Sequence, residues 1–311
     1  AAPTPTPPPE AAAGRRFARP PFALAPLVGR GGAVEAVRSR LAGHRLVTLV
    51  GTGGVGKTRL AMEVAGGADD AFPGGVVWVD LAPLSDPALL GPALAAALGI
   101  RQEGAVDLET LWERAAAALA GEATLLALDN GEHLLDPVAE LVQRLLARCP
   151  DLRVLVTSRQ RLGLWGEEVW RVPSLPVPDD DALPVPLAEA RDAVLAYPAA
   201  RLFVDRAAAV RSGSLLSDRA EVAALCQICR RLDGIPLALE LAAARAGVLT
   251  IPQIAARLDD RFRLLNAGHR GAPPRQRTLR ALIDWSHEPL PEAERRLLRR
   301  LAVCPAGATL E

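Results

Sequence analysis

The stretch LVTLVGTGGVGKTRLAMEVA, residues 46–65, decides the fold and the chemistry expected of this chain. Its first residues are mostly apolar and belong to a predicted buried strand at 45–50, and the residues after Gly56 have the apolar spacing of a helix. Between these elements, residues 51–58 match G-x-x-x-x-G-K-[ST] in full. Glycines in such a loop let successive backbone N–H groups turn toward phosphate, and the helix adds the positive end of its dipole. Residues 51–58 therefore predict a P-loop.

Lys57 in this loop is the only lysine of the chain, although lysine and arginine together number 36. An ammonium group is compact and can reach the β- and γ-phosphates, whereas a planar guanidinium fits badly in a closed loop. The Thr58 hydroxyl is a ligand that Mg²⁺ accepts. We therefore predict that ATP or ADP binds here with Mg²⁺. The nucleotide-binding residues predicted from the loop are Gly51, Gly53, Gly54, Val55, Gly56, Lys57, Thr58 and Arg59.

The composition argues against a nucleic-acid-binding surface and against a membrane protein. The 311 residues carry 36 acidic and 36 basic side chains, and this balance argues against a surface devoted to nucleic acid or anionic lipid. No apolar run is long enough to span a membrane, and the few cysteines indicate a reducing compartment, so we expect a cytoplasmic location. Cys226 and Cys229 form a CxxC, but they lie in an apolar helical pattern. Buried thiols are therefore favoured over a zinc or redox site.

The pattern of elements predicts an α/β domain followed by helices. Apolar runs at 45–50, 75–80, 124–129, 153–157 and 167–172 alternate with helical spacing, which is typical of a parallel sheet covered on both faces. A proline-rich acidic stretch then marks a boundary. The N-terminal sequence AAPTPTPPPE resembles neither a signal peptide nor a domain start, so we expect a piece of a longer protein. The predicted segments are a Pro/Ala-rich linker (1–25), a P-loop nucleotide-binding domain (26–175), a connector (176–192), a helical domain (193–268) and the beginning of a winged-helix domain (269–311).

The run TLLALDNGEHLL, residues 124–135, supplies the carboxylate that a P-loop requires. Asp129 ends an apolar strand and is predicted to assist Mg²⁺ beside Thr58. The next residue is Asn130, which can orient water but cannot serve as a base. Glu132 is an alternative base two residues further on. We therefore predict hydrolysis of a few turnovers per minute or less, well below the ~10 per second of ordinary enzymes.

Arg159 follows another apolar strand in the run RVLVTSRQRLG. If that strand lies between the P-loop strand and the Asp129 strand, Arg159 projects toward the γ-phosphate. An arginine at that point distinguishes ATP from ADP, because its target phosphate is either present or lost. A surface arginine after a strand is the alternative. On the first interpretation Lys57, Asp129 and Arg159 are the catalytic residues, and Thr58 and Asp129 hold the metal.

Five further stretches complete the pattern. They are LVGR (27–30), LALDNGEHLL (126–135), VTSRQRLG (156–163), LDGIPLALELAAAR (232–245) and RQRTLRALIDWSHEPL with LRRLAVC (275–304). In this order they resemble the motifs of the STAND class of P-loop ATPases of ASCE type, which includes the NB-ARC proteins. The similarity is greatest to a bacterial branch found in SARP-type antibiotic-pathway regulators of actinomycetes and in large LuxR-type activators, and it covers roughly residues 26 to 311.

The resemblance implies further site residues and a mechanism. Val28, Gly29 and Arg30 would contact adenine and ribose, and Pro236 would close over the base. ADP would hold a closed state, and ATP would favour an open form that associates with itself. DNA would be bound only through a domain outside this sequence. The resemblance also implies a winged-helix histidine that this chain lacks, and His287 is not assigned to that role.

Other functions fit the same residues in part. A nucleotide-binding structural module that never hydrolyses ATP would share the whole P-loop. A P-loop small-molecule kinase would need an arginine-rich lid, which the helical second half does not suggest. The arginines of ERRLLRR, residues 294–300, could belong to a DNA-binding winged helix, but a solvated helix face explains them as well.

Overall fold

The computed structural model describes most of the chain and divides it into two units. Of the described residues, the α/β unit contains those before Val28, between Gly32 and Val50 and between Lys57 and Arg171. The helical unit contains Val28–Gly31, Gly51–Gly56 and the described residues from Val172 onward. The described residues are 17–21, 25–101, 107–179, 186–211, 213–258 and 292–301.

A five-stranded sheet forms the centre of the α/β unit, and all its strand pairs are parallel. Every residue of β1 and β3 is buried. Strands covered on both faces need continuous apolar runs, which is why these strands could be located from sequence. The predicted parallel α/β sheet is thus confirmed. The strands are β1 (Leu46–Val50), β2 (Gly75–Asp80), β3 (Thr124–Asp129), β4 (Leu152–Ser158) and β5 (Glu167–Arg171).

The strand order is β2-β3-β4-β1-β5, so β4 lies between the P-loop strand and the Asp129 strand. Val50 at the end of β1 is level with Ser158 at the end of β4, and Leu128 of β3 is level with Val156. The carboxyl ends of these three strands therefore meet at one edge of the sheet. This is the strand order on which the interpretation of Arg159 depended.

Helices cover the sheet and are positioned by apolar faces. The core cluster includes Leu94 of α3, Leu141 of α5 and Val154 of β4, all nearly inaccessible to solvent. Asp107 caps the N-terminus of the helix Leu108–Leu119: its side chain accepts a hydrogen bond from the backbone N–H of Thr110, a donor that has no partner within the helix. The helices of this unit are α1 (Gly31–Gly43), α2 (Lys57–Gly66), α3 (Leu90–Ala97), α4 (Leu108–Leu119) and α5 (Leu135–Arg148).

The end of the predicted N-terminal linker contacts the α/β unit. The backbone N–H of Ala18 donates to Ala97 at 2.8 Å, and Trp78 of β2 donates to the Ala18 carbonyl at 2.7 Å. Phe17 packs against the core of the unit, and Arg19 forms an exposed ion pair with Asp69. Because β2 is an edge strand, this segment covers part of an otherwise open edge.

The helical unit has a core of its own. Phe203, Leu225 and Leu239 are fully buried in it. Helix α6 begins at Leu187, inside the span predicted as a connector, and of the winged-helix segment predicted at 269–311 only α11 lies within the described residues. His287 lies outside them. The helices are α6 (Leu187–Leu195), α7 (Pro198–Ala208), α8 (Arg219–Arg231), α9 (Pro236–Ala243), α10 (Ile251–Arg257) and α11 (Glu292–Leu301).

The two cysteines of the CxxC motif lie in the core of the helical unit. Cys226 and Cys229 are on α8, and both are buried thiols that are not joined in a disulfide. Burial, with a smaller contribution from Cys226, raises the pKa of Cys229 to about 12. A thiol in that environment stays protonated and behaves as an apolar packing group. Across the described residues, no helix combines the length and hydrophobicity required to cross a membrane.

Candidate nucleotide-binding site

The P-loop follows β1 as an irregular turn, and Lys57 is the first residue of α2. Gly56 has φ +98°, a backbone conformation that L side chains rarely adopt, so glycine is needed directly before the lysine. This places the helix N-terminus, with its exposed N–H groups and positive dipole end, immediately after the loop. The backbone N–H groups at the start of α2 can therefore bind an anion.

The environment of the buried Lys57 disfavours its charged form. Its residue is 9% exposed, and burial lowers its pKa. The nearby carboxylates of Glu132 and Asp129 oppose that shift, whereas the guanidinium of Arg159 adds to it. A positive charge at a helix N-terminus is also unfavourable by the dipole. An anionic ligand would relieve each of these costs.

Thr58 and Asp129 lie in direct contact. The Thr58 hydroxyl donates to Asp129 Oδ1 at 2.9 Å, and the Thr157 hydroxyl donates to the same oxygen. Burial raises the pKa of Asp129 to about 6, although both hydroxyl hydrogen bonds lower it. A hydroxyl and a carboxylate side by side are oxygen donors of the kind Mg²⁺ takes. The residues therefore fit the metal predicted for them.

Thr157 and Asp80 are members of this cluster that the sequence analysis did not single out. Thr157 is buried near the end of β4, and its Oγ1 also accepts from the backbone N–H of Asn130 at 2.9 Å. Asp80 is level with Asp129 across β2 and β3, and its charge raises the pKa of Asp129. In the sequence, each of these residues lies at or near the end of a predicted strand. They could have been assigned to the site only if the strands were known to be neighbours in the sheet.

Asn130 occupies the position where an acidic residue would activate water. Its backbone is left-handed, with φ 67° and ψ 48°, which is uncommon for a residue with a side chain but most tolerated by asparagine and aspartate. Its side-chain Nδ2 is buried and has no hydrogen-bond partner among the described residues. The left-handed turn ends β3 and leads into the short 3₁₀ helix Gly131–His133.

Arg159 and Glu132 form an ion pair. The Nε of Arg159 lies 3.1 Å from Oε1 of Glu132, and the two side chains are only 18% and 11% exposed. The second oxygen, Oε2 of Glu132, is buried and has no hydrogen-bond partner within the described residues. The structure thus brings together the predicted sensor arginine and the alternative base, which the sequence analysis had treated separately.

The other residues predicted for the nucleotide belong to the helical unit. Arg30 is buried and donates from its guanidinium to the carbonyl of Val55 at 2.9 Å, and burial lowers its pKa. The backbone N–H of Leu237 donates to Gly54 at 3.2 Å. Pro236 begins α9, and its ring lies 4.0 Å from the Cβ position of Gly56. Arg30 and the first turn of α9 therefore contact the loop through the carbonyls of Val55 and Gly54.

Three predicted residues have mainly structural contacts here. Gly29 has φ +66°, and a Cβ on it would lie 2.2 Å from the Pro198 ring, so this position requires glycine. Val28 is partly buried against the core of the helical unit. Arg59 donates from its guanidinium to the backbone carbonyl of Ala25. The geometry gives Arg59 a structural partner that the motif did not predict.

Comparison with known proteins places this geometry in a family. A profile of the family described as AAA domain matches residues 40–164. An uncharacterized Mycobacterium bovis protein is 40% identical over 289 residues, covering 93% of this chain and 68% of the relative. The regulatory protein AfsR of Streptomyces griseus is 30% identical over 302 residues, covering 91% of this chain and 27% of AfsR.

The chain belongs to the P-loop ATPase family found in actinomycete regulatory proteins. The resemblance predicted from the motifs is confirmed at this level. A further Mycobacterium bovis relative, provisionally named an HTH-type transcriptional regulator, is 44% identical over 275 residues. That alignment covers 88% of this ATPase module and 28% of the relative, so the module spans little more than a quarter of that protein.

A solved structure agrees with the ATPase fold. Drosophila ORC bound to DNA aligns with a TM-score of 0.51 and 14% identity, covering 91% of this chain and 83% of that one. At this identity the likeness concerns the fold alone.

Proposed function

We propose that the ATPase module binds ATP and ADP with Mg²⁺, hydrolyses ATP slowly and acts as a nucleotide-dependent switch within a larger transcriptional regulator. The contact of Thr58 with Asp129, next to the buried Lys57, is the observation that carries this proposal. It puts a cation, a hydroxyl and a carboxylate at the carboxyl edge of the sheet, where the P-loop begins.

Each residue then has a chemical task. Lys57 and the N–H groups of the loop bind the β- and γ-phosphates, and Arg159 contacts the γ-phosphate. Thr58 and Asp129 hold Mg²⁺, which neutralises phosphate charge when it is bound. Val28, Gly29, Arg30 and Pro236 are proposed for the adenosine end. Support for that assignment comes from the hydrogen bonds of Arg30 and Leu237 to the loop, and Pro236 directly precedes Leu237.

Slow hydrolysis is proposed because Asn130 follows Asp129. An amide can orient water but cannot accept its proton at neutral pH. The position directly after Asp129 therefore supplies no catalytic base. If hydrolysis is slow, the ATP-bound state persists long enough to have a conformation distinct from that of the ADP-bound state. The switch would act through Arg159 and Pro236, since ADP lacks the phosphate that Arg159 contacts.

The regulatory role is proposed from the relatives. Two of the relatives are named as regulatory proteins. Both are much longer than this chain, which spans little more than a quarter of each. We propose that the ATP state favours self-association of the full-length protein and that DNA is bound by a part outside this sequence. Such a regulator would work in the cytoplasm.

A structural nucleotide-binding role without turnover is the second candidate, and Asn130 favours it. Two measurements on the 311-residue chain separate the candidates. The first identifies nucleotide released by denaturing the purified protein, and the second follows phosphate release from Mg²⁺–ATP. Retained ADP and turnover well below ~10 per second support the switch. Failure to bind either nucleotide would overturn the proposal, and bound ATP that is never hydrolysed would favour the structural role.

A further inference from the structure

The turn after β3 fixes the position of Glu132. Asn130 is left-handed, and Gly131–His133 form a 3₁₀ helix whose N-terminal residue Gly131 is buried. His133 contacts the carbonyl of Leu84 through Nε2 at 2.8 Å, and the N–H of Leu134 donates to Gly131 at 3.1 Å. The backbone on both sides of Glu132 is therefore held, and its side chain does not depend on a mobile loop.

Glu132 belongs to the same electrostatic environment as the phosphate-binding lysine. Among the charges that favour the protonated form of Lys57, the carboxylate of Glu132 has the largest effect, ahead of Asp129. A solvated surface glutamate would not have this effect on a buried lysine. Glu132 also lies only three residues after Asp129, in the turn that leaves β3 at the edge of the sheet where Thr58 contacts Asp129.

The two oxygens of Glu132 have different environments. Oε1 is paired with Arg159 at 3.1 Å, whereas Oε2 is buried without a hydrogen-bond partner among the described residues. A buried carboxylate oxygen without a partner costs free energy, so such an atom in a folded protein calls for an explanation. A water molecule held for reaction would supply the missing hydrogen bond.

We propose that Glu132 is the catalytic base of ATP hydrolysis and that Arg159 is its positioning residue. This inference rests on the proposed function. Oε2 of Glu132 accepts a proton from water as the water oxygen attacks the γ-phosphorus. The bond from phosphorus to the bridging oxygen of ADP breaks, and its electron pair remains on ADP. The proton then passes from Glu132 to solvent or phosphate, so the products are ADP and inorganic phosphate.

Arg159 connects this base to the nucleotide. A guanidinium has five N–H donors in a rigid fork, so one arginine can hold a carboxylate and a phosphoryl oxygen together. Contact with the γ-phosphate would then align Glu132 only when triphosphate is bound. The base lies two residues beyond the usual position, after the left-handed turn at Asn130, and we expect this placement to give slow turnover.

The test compares variants of the 311-residue chain by single-turnover hydrolysis and by equilibrium binding of ATP. Glu132→Gln keeps the shape and one carbonyl acceptor for Arg159 but removes the charge and the proton acceptor. We expect hydrolysis to fall about 100-fold or more while ATP affinity changes less than about threefold. Glu132→Asp, which keeps a carboxylate, should retain more activity than Glu132→Gln. Glu140→Gln, on an exposed part of α5, is the matched control and should behave as wild type.

The role of Arg159 is tested by chemical rescue, because a purely structural role would not be restored by added guanidinium. For Arg159→Ala, added guanidinium at low millimolar concentration should restore part of the hydrolysis rate, but it should not restore the rate of Glu132→Gln. Wild-type hydrolysis that persists unchanged in Glu132→Gln overturns this inference and leaves the proposed switch intact. A wild-type chain that binds ATP without turnover also overturns it, whereas loss of ATP binding in the wild type contradicts the proposed function itself.

Discussion

Oγ1 of Thr58 donates a hydrogen bond of 2.9 Å to Oδ1 of Asp129, which joins the first turn of α2 to the carboxyl end of β3. The two residues are distant in sequence and belong to different motifs. Their contact indicates that the P-loop and the acidic strand end form one site. The charge of Asp129 would be shared between the hydroxyl and any bound metal.

Thr58→Ala should weaken the effect of Mg²⁺ on ATP binding. The hydroxyl is a proposed metal ligand, so its loss should reduce the gain in affinity from Mg²⁺ about tenfold or more, as expected for a hydrogen-bonded charged group. ATP affinity in EDTA should change little. Calorimetric titration with and without Mg²⁺ measures both quantities, and Thr58→Ser, which keeps the hydroxyl, is the control. Equal Mg²⁺ dependence in wild type and Thr58→Ala would argue against the metal site.

Asp129 should make the stability of the nucleotide-free protein depend on pH. Burial raises its pKa to about 6 from the ordinary 3.8, so the folded state holds a proton that the unfolded chain has released. Stability should therefore fall as pH rises from about 4 to about 6 and then level off, by up to about 3 kcal/mol. Urea unfolding in EDTA across this range measures it.

Asp129→Asn provides the comparison for the pH series, because other groups also titrate in this range. The amide does not ionise, so the difference between wild type and variant isolates the Asp129 contribution. That difference should change with pH between about 4 and about 6. Parallel stability curves for the two proteins would show that burial of this carboxyl does not govern the effect.

The strands and the P-loop were accessible from sequence for a clear physical reason. Strands buried on both faces need unbroken apolar runs, and the glycines before Lys57 are required by the loop backbone. The prediction for Arg159 was conditional, because Arg159 can face the γ-phosphate only if β4 lies between β1 and β3. Strand order follows from tertiary packing, to which local patterns contribute little.

Other contacts could not be foreseen from local sequence. The Asn130-Gly131 dipeptide is typical of a turn, but it does not indicate that Glu132 beyond it pairs with Arg159 of another strand end. Phe17 lies in a Pro/Ala-rich stretch whose composition predicts a linker, yet it packs against the core of the α/β unit. Arg59 follows the motif directly, but its guanidinium contacts the Ala25 carbonyl. In each case the partner is distant in sequence.

Gly29→Ala should destabilise the helical unit. The position has φ +66°, and the added Cβ would lie 2.2 Å from the Pro198 ring, so both backbone strain and overlap result. We expect a loss of about 2 kcal/mol or more in the free energy of unfolding. Chemical denaturation measures it. Gly31→Ala is the matched control, because a Cβ at that position meets nothing within 4 Å. Similar effects of the two substitutions would show that the Pro198 contact is unimportant.

Binding of Mg²⁺–ATP to Lys57→Ala tests the central claim most directly, namely that the one lysine of the chain anchors the phosphates. Calorimetric titration should show affinity reduced about 30-fold or more relative to wild type, as expected when one partner of a buried charge pair is removed. The thermal unfolding of the two proteins without nucleotide shows whether the variant is folded. If folded Lys57→Ala binds ATP as tightly as wild type, the nucleotide site is not where this structure places the phosphate-binding lysine.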